Sequence, residues 1–130
     1  MEFTISTKRG QDLIDITSYI KNAVRESGVK EGLAVVFVPH TTAGVTINEN
    51  GDPDVVTDII EGLNKAFPVR GNYLHFEGNS HAHIKASFMG SSVNLIIENA
   101  SPRLGTWQSV YLCEFDGPRT RRVLVKILEG

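Results

Sequence analysis

Six consecutive apolar residues, Leu33 to Val38, run into Pro39. A continuous apolar run of this length predicts a strand buried on both faces. Pro39 has no N–H, so it fits a strand end and not the middle of a ladder. His40-Thr41-Thr42 follows, then an alternating segment, Val45-Thr46-Ile47, predicted as the next strand. Asp52 and Pro53 open a helix, with Asp at the cap and Pro at the first position, where a missing N–H costs nothing. Strand, polar cluster, strand and helix start are expected to gather His40, Asn48, Glu49 and Asp52 into one neighbourhood.

The rest of the chain is organised to match. Phe3 and Ile5 alternate with polar residues as in a half-buried strand. A turn at Lys8-Arg9-Gly10 leads to a second strand over 11–16. Thr17 or Asp15 caps a helix ending near Ser27; Ile16, Ile20, Ala23 and Val24 form its apolar stripe, and Gly28 fits a left-handed C-terminal cap. In the helix after Asp52, Val55, Val56, Ile59, Ile60 and Leu63 make the core face. Residues 69–80 are polar and read as a long loop, a common home of function. His83 to Phe88 alternates and is predicted as a strand, as are 93–98, 107–115 and 121–128. Asp116-Gly117-Pro118 is expected to be a hairpin turn joining the last two. The total predicts one domain over 1–130, class α+β: a two-layer, mainly antiparallel β-sandwich with two flanking helices.

A chain of 130 residues buries roughly two-thirds of its unfolded surface, enough for a real core. The net charge of −2 argues against nucleic acid as a partner, because phosphate binding needs a concentrated basic face. The single cysteine, Cys113, excludes an internal disulfide and reads as a small buried hydrophobe. No apolar run approaches the roughly 18 residues of a membrane span. Met1-Glu2-Phe3-Thr4 lacks the features of a signal peptide, so a cytoplasmic protein is expected.

The chemistry lies in four histidines: His40, His75, His81 and His83. In a strand, His81 and His83 face the same side and make a good pair of metal ligands; if the strand starts at His83, His81 need not converge. Three imidazoles with an open fourth position form a catalytic-type zinc site whose bound water has a pKa of about 7. Glu49 and Asp52 are candidates for a general base, a ligand or an orienting group, set against a solvated turn and a plain helix cap. The helix start after Asp52 also suits an anion. Arg103, Arg119, Arg121 and Arg122 are candidates for holding phosphate.

Four stretches together resemble the YjbQ family of secondary thiamine-phosphate synthase enzymes. They are His40-Thr41-Thr42-Ala43-x-x-Thr46-x-Asn48-Glu49-Asn50-x-Asp52-Pro53, Gly71-Asn72-Tyr73-x-His75, His83-Ile84-Lys85-Ala86-Ser87 and Gly105-Thr106-Trp107-Gln108. The resemblance implies a homotrimer and a divalent metal, zinc by preference, on His40, His75 and His83, with His81 an accessory. It also implies a reaction joining a phosphorylated pyrimidine to a thiazole phosphate with release of pyrophosphate. On this reading the chain is a metal-dependent enzyme acting on a small phosphorylated metabolite. Glu49 is its acid/base, Asn48 and Asp52 shape the site, and Thr41, Arg103 and Thr106 contact an anionic group. Hydrolysis of a small metabolite, or binding of a metabolite or metal without catalysis, are the alternatives.

Overall fold

The computed structural model describes all of residues 1–130. Eight strands and three helices follow one another as β1 (Glu2–Ser6), β2 (Asp12–Asp15), α1 (Thr17–Ser27), β3 (Gly32–Phe37), β4 (Ala43–Glu49), α2 (Pro53–Ala66), α3 (Ser80–Met89), β5 (Ser92–Glu98), β6 (Ser101–Pro102), β7 (Gln108–Glu114) and β8 (Thr120–Glu129). They build an α+β sandwich of two sheets, ordered β1-β8-β3-β5-β6 and β2-β7-β4, and every pairing is antiparallel. Between the sheets, Ala34, Val36, Val38, Val45, Leu95, Val110, Leu112, Val123 and Val125 form the main core with Ile16, just before α1, and Ile20 and Val24 of α1. Leu13, Tyr111, Cys113 and Phe115, on the other face of the smaller sheet, meet Ala82 and Ala86 of α3 and the apolar side of α2.

Local chemistry explains several boundaries. The Asp52 carboxylate accepts from the Asp54 N–H at 2.9 Å and Pro53 begins α2, as expected. Gly28 ends α1 at a φ of 73°, the left-handed region where glycine has no side-chain penalty. The start of α1 differs from expectation. Ile16 stands at the cap, Asp15 Oδ1 accepts from the Thr17 N–H at 2.9 Å, and the Thr17 hydroxyl accepts from the Val110 N–H at 2.9 Å.

Three expectations are corrected. Residues 83–88 are not a strand; they lie inside α3, a third helix. The alternation misleads because His81 and Lys85, polar at i and i+4, are buried together with Ala82 and Ala86. β3 is not buried on both faces: Ala34 and Val36 point into the core, while Phe37 is 41% exposed on the outer side of the five-stranded sheet. Asp116-Gly117-Pro118 is not a hairpin turn, because β7 and β8 belong to different sheets and the segment crosses the sandwich.

That crossing is anchored by a buried ion pair. The Arg121 guanidinium donates to both oxygens of Glu114 and to the Thr42 hydroxyl at 2.9 Å. Glu114 also accepts from the Thr7 hydroxyl at 2.7 Å and from the Asp116 N–H at 3.0 Å. Arg121 is therefore spent on structure and is not available to an anionic ligand. α3 lies close on β4: a Cβ at Gly44 would stand 2.7 Å from the Gly90 carbonyl oxygen. This close approach brings His83 beside the start of β4.

Candidate functional site

His83 stands between two clefts. On one side it lines an open pocket of about 520 Å³ with Asn72, Tyr73, Leu74, His75, Ser80 and Ile84. On the other it lines a pocket of about 370 Å³ with His40, Thr41, Ser87 and Ser91. Both volumes fall within the roughly 300–1,000 Å³ of small-ligand sites. The His75 and His83 rings meet edge to face, with centroids 5.5 Å apart. Loop 69–79 presents His75, α3 presents His83, and the turn after β3 presents His40. His83 thus lines one pocket with His75 and another with His40, but the three expected histidines do not line a common pocket.

His81 points elsewhere. In a helix, residues two apart do not share a face, and His81 is buried while His83 borders the clefts. Its Nδ1 contacts the Lys85 Nζ at 2.7 Å. The Lys85 ammonium also donates to Asn64 Oδ1 at 2.6 Å and to Gln11 Oε1 at 3.2 Å. Burial lowers the Lys85 amine to about 8. Every one of these partners is uncharged when His81 is neutral, and the group ties α2, α3 and the start of β2 together. The H-x-H reading of His81 and His83 as paired ligands is corrected accordingly. Nothing in the sequence marked Lys85 as buried, since an isolated lysine in an alternating segment reads as exposed.

His40 is held differently. Burial lowers its imidazole below the usual histidine value; Arg121 and Arg122 reinforce this and Glu114 opposes it. Its Nε2 accepts from the Arg122 N–H at 2.9 Å. The neutral ring then carries its proton on Nδ1, as a donor. Coordination through Nδ1 would move that proton to Nε2 and set it against the Arg122 N–H. His40 is therefore better suited to donate to an anion, with Thr41 beside it, than to ligate a metal.

Within one chain the donor set does not fit a three-ligand metal centre. No group of three or more His, Cys, Asp or Glu side chains is arranged to hold an ion. His75 and His83 supply an imidazole pair, and the one carboxylate within 4.0 Å of a histidine is Glu77, whose Oε2 lies 3.7 Å from His75 Nε2. Glu77 was not singled out from sequence; its spacing of two from His75 in a loop carries no pattern.

The remaining expected site residues lie at the other end of the sandwich. β4 separates Ala43 from Glu49 by six residue steps, about 20 Å of strand at roughly 3.3 Å each. The expected gathering of His40 with Asn48, Glu49 and Asp52 is corrected: all three acid-end residues cluster around the far end of β4. Asn48 accepts the Glu49 N–H at 2.7 Å, and the Tyr111 hydroxyl donates to the Glu49 carbonyl at 3.0 Å. Thr106 is at the same end, next to Trp107, whose carbonyl accepts the Asn50 N–H at 2.9 Å. Arg103 follows β6, at the edge of the other sheet, and its guanidinium holds Glu98 at 2.9 Å. A third pocket, lined entirely by polar residues including Asp15, Lys21, Asn50 and Ser109, opens there as well. Of the expected anion contacts, Thr41 alone borders the histidine clefts.

Cys113 is fully buried and its thiol is pushed up to about 12 by burial, which excludes it as a nucleophile near neutral pH. No helix is long and apolar enough to cross a membrane.

Comparison with known proteins agrees with the fold. The family model described as "UPF0047 protein YjbQ-like" matches residues 1–130. The UPF0047 protein MJ1081 of Methanocaldococcus jannaschii is 53% identical over 98% of this chain and 92% of its own. The UPF0047 protein YugU of Bacillus subtilis is 45% identical over 95% of each. The crystal structure of an uncharacterised YjbQ/UPF0047 protein from Clostridium acetobutylicum superposes with a TM-score of 0.97 at 61% identity, covering 98% of this chain and 99% of that one. The conserved hypothetical protein TT1486 of Thermus thermophilus superposes with a TM-score of 0.91 at 40% identity, covering 98% and 99%. The chain belongs to the YjbQ-like UPF0047 family.

Proposed function

We propose that this chain is an enzyme that processes a small phosphorylated metabolite in the histidine clefts. The observation that carries the reading is the position of His83, which joins a pocket shared with His75 to one shared with His40 and Thr41. The His40 Nδ1–H and the Thr41 and Ser91 hydroxyls are donors suited to a phosphate, because each can point at an oxygen without bringing a negative group with it. His75 and Glu77, 3.7 Å apart, are the one imidazole–carboxylate pair at the clefts and are proposed to handle protons there. Imidazole donors suit zinc among divalent ions, so a zinc requirement remains part of the proposal, although one chain does not gather a full ligand set. The reaction type is a group transfer of the thiamine-phosphate synthase kind. The His75–Glu77 pair favours hydrolysis as the second reading, because the same pair can activate water. The protein is proposed to act in the cytoplasm, as a homotrimer.

The test is calorimetric titration with inorganic phosphate and with zinc, on the wild type and on His83→Ala. Loss of both ligands in His83→Ala supports the reading. Unchanged binding of both would refute it.

A further inference from the structure

We propose that the polar pocket at the far end of β4 binds a small zwitterion, a free amino acid with a short polar side chain, with its ammonium on Asp15 and its carboxylate on Lys21 and Ser18. The pocket lies where the end of β2, the first turn of α1, the end of β4 and the start of β7 meet. About 20 Å of β4 separates it from the His40 cleft, so it is a second site and does not depend on what the histidines do. It has a volume of about 400 Å³ and is lined by Asp15, Thr17, Ser18, Lys21, Asn50 and Ser109, with no apolar residue among them. Such a lining disfavours an apolar ligand, which would take water from polar groups and give them no hydrogen bond in return.

The floor of the pocket is buried and already ordered. Ser109 is 2% and Thr17 9% exposed. Asn50 Nδ2 donates to Ser109 Oγ at 2.5 Å, and the Thr17 N–H donates to Asp15 Oδ1 at 2.9 Å. Burial alone would raise the Asp15 carboxyl, but hydrogen bonds from the Thr17 hydroxyl and N–H, from Ser109 and from Asn50 bring it below its usual 3.8. Asp15 is nevertheless an exposed residue, so its carboxylate is fixed from below and open above. A fixed, ionised carboxylate with a free side is a receptor for an ammonium group.

The opposite wall carries the opposite sign. Ser18 and Lys21, three residues apart on α1, share a face of the helix. They stand in its first turns, where the helix dipole also favours a negative group. Asp15 and Lys21 line one pocket, yet they form no ion pair with each other or with any third group. Opposite charges held apart across a pocket are complementary to a ligand that carries both signs in the reverse order. A simple anion would meet Lys21 but face Asp15, and a simple cation would meet Asp15 but face Lys21. Glu49 fixes the orientation further. Burial first, and then the charges of Asp15 and Glu49, raise the Tyr111 phenol, so two carboxylates act on the sheet side of the pocket.

Calorimetric titration with L-serine tests the site. The wild type is expected to bind L-serine, and to bind acetate, methylammonium and L-leucine more weakly, acetate and methylammonium by roughly tenfold or more because each makes only half of the charged contacts. Lys21→Met and Asp15→Asn are each expected to lower the L-serine affinity roughly tenfold or more for the same reason. Lys21 is exposed and methionine is a good helix former, so Lys21→Met keeps the fold even where Asp15→Asn loosens the start of α1. His83→Ala is expected to bind L-serine as the wild type does. A wild type that does not bind L-serine, or wild-type affinity in Lys21→Met, overturns the proposal. Acetate binding as tightly as L-serine makes the pocket an anion site, and L-leucine binding as tightly removes the polar selection; either result overturns it too. Loss of L-serine in His83→Ala places the amino acid in the histidine clefts and overturns this site, whereas the phosphate and zinc titrations test those clefts separately.

Discussion

Replacing Arg121 by Met should be the most damaging single change outside the main core. Arg121 and Glu114 are 3% and 0% exposed, and the pair joins β8, β7 and the Thr42 turn across the sandwich. Methionine fills much of the space but leaves the Glu114 carboxylate buried with only Thr7 and the Asp116 N–H as donors. Breaking a buried pair on one side costs about 3–5 kcal/mol. For a chain of this size, roughly 3–5 °C of melting temperature goes with each kcal/mol, so a drop of about 10–25 °C is expected. Burial alone would raise the Glu114 pKa, but the hydrogen bonds from Arg121, the Asp116 N–H and Thr7, with the Arg121 charge, bring it below its usual 4.5. A depressed carboxyl contributes stability above that value and loses it as pH falls through the folded pKa. The gap between wild type and Arg121→Met should therefore narrow below about pH 4.5. Adding Glu114→Gln to Arg121→Met removes the stranded charge and should recover more than half the loss. Chemical denaturation measures all three. A cost under about 1 kcal/mol for Arg121→Met, or no recovery in the double variant, would show that the buried charge is not what holds the crossing.

Other outcomes are expected from the same geometry. Asp52→Ala removes the carboxylate that caps α2 and should lower stability by about 1 kcal/mol, read by urea denaturation, with Asp52→Gly costing only a few tenths. His75→Ala should reduce zinc binding while melting like the wild type, because His75 lies on an exposed loop. His81→Ala should do the reverse, destabilising the protein by leaving the Lys85 amine without one of its three acceptors; melting curves and zinc titrations of the two variants compare them. His40 and His81 both have pKa values lowered from 6.5, by burial first and by nearby cations second. Below 6.5 the unfolded chain takes up protons that the folded one refuses, so stability should fall as pH drops from that value. His81→Gln should flatten that slope in a pH series of thermal unfolding; an unchanged slope would remove His81 as a cause.

Much of the architecture was written in local sequence. Asp52-Pro53 marked a helix start because a carboxylate cap and a residue without an N–H are chemically suited to that place and few others. Gly28 marked a helix end, and the alternation of Val123, Val125 and Ile127 fixed the inward face of β8, because side-chain direction in a strand follows sequence parity. α3 was illegible for a physical reason: its buried face carries His81 and Lys85, which are stable there only because Asn64 and Gln11, distant in sequence, supply acceptors. The family's histidines were legible as residues, but their pairing was not. Only the docking of α3 on Gly44 and the course of loop 69–79 bring His83 between His75 and His40. The separation of His40 from Glu49 lay half in view, since a strand between them forces distance. What the sequence could not show is that β4 runs the full seven residues, Ala43–Glu49, a length decided by its ladder with β7.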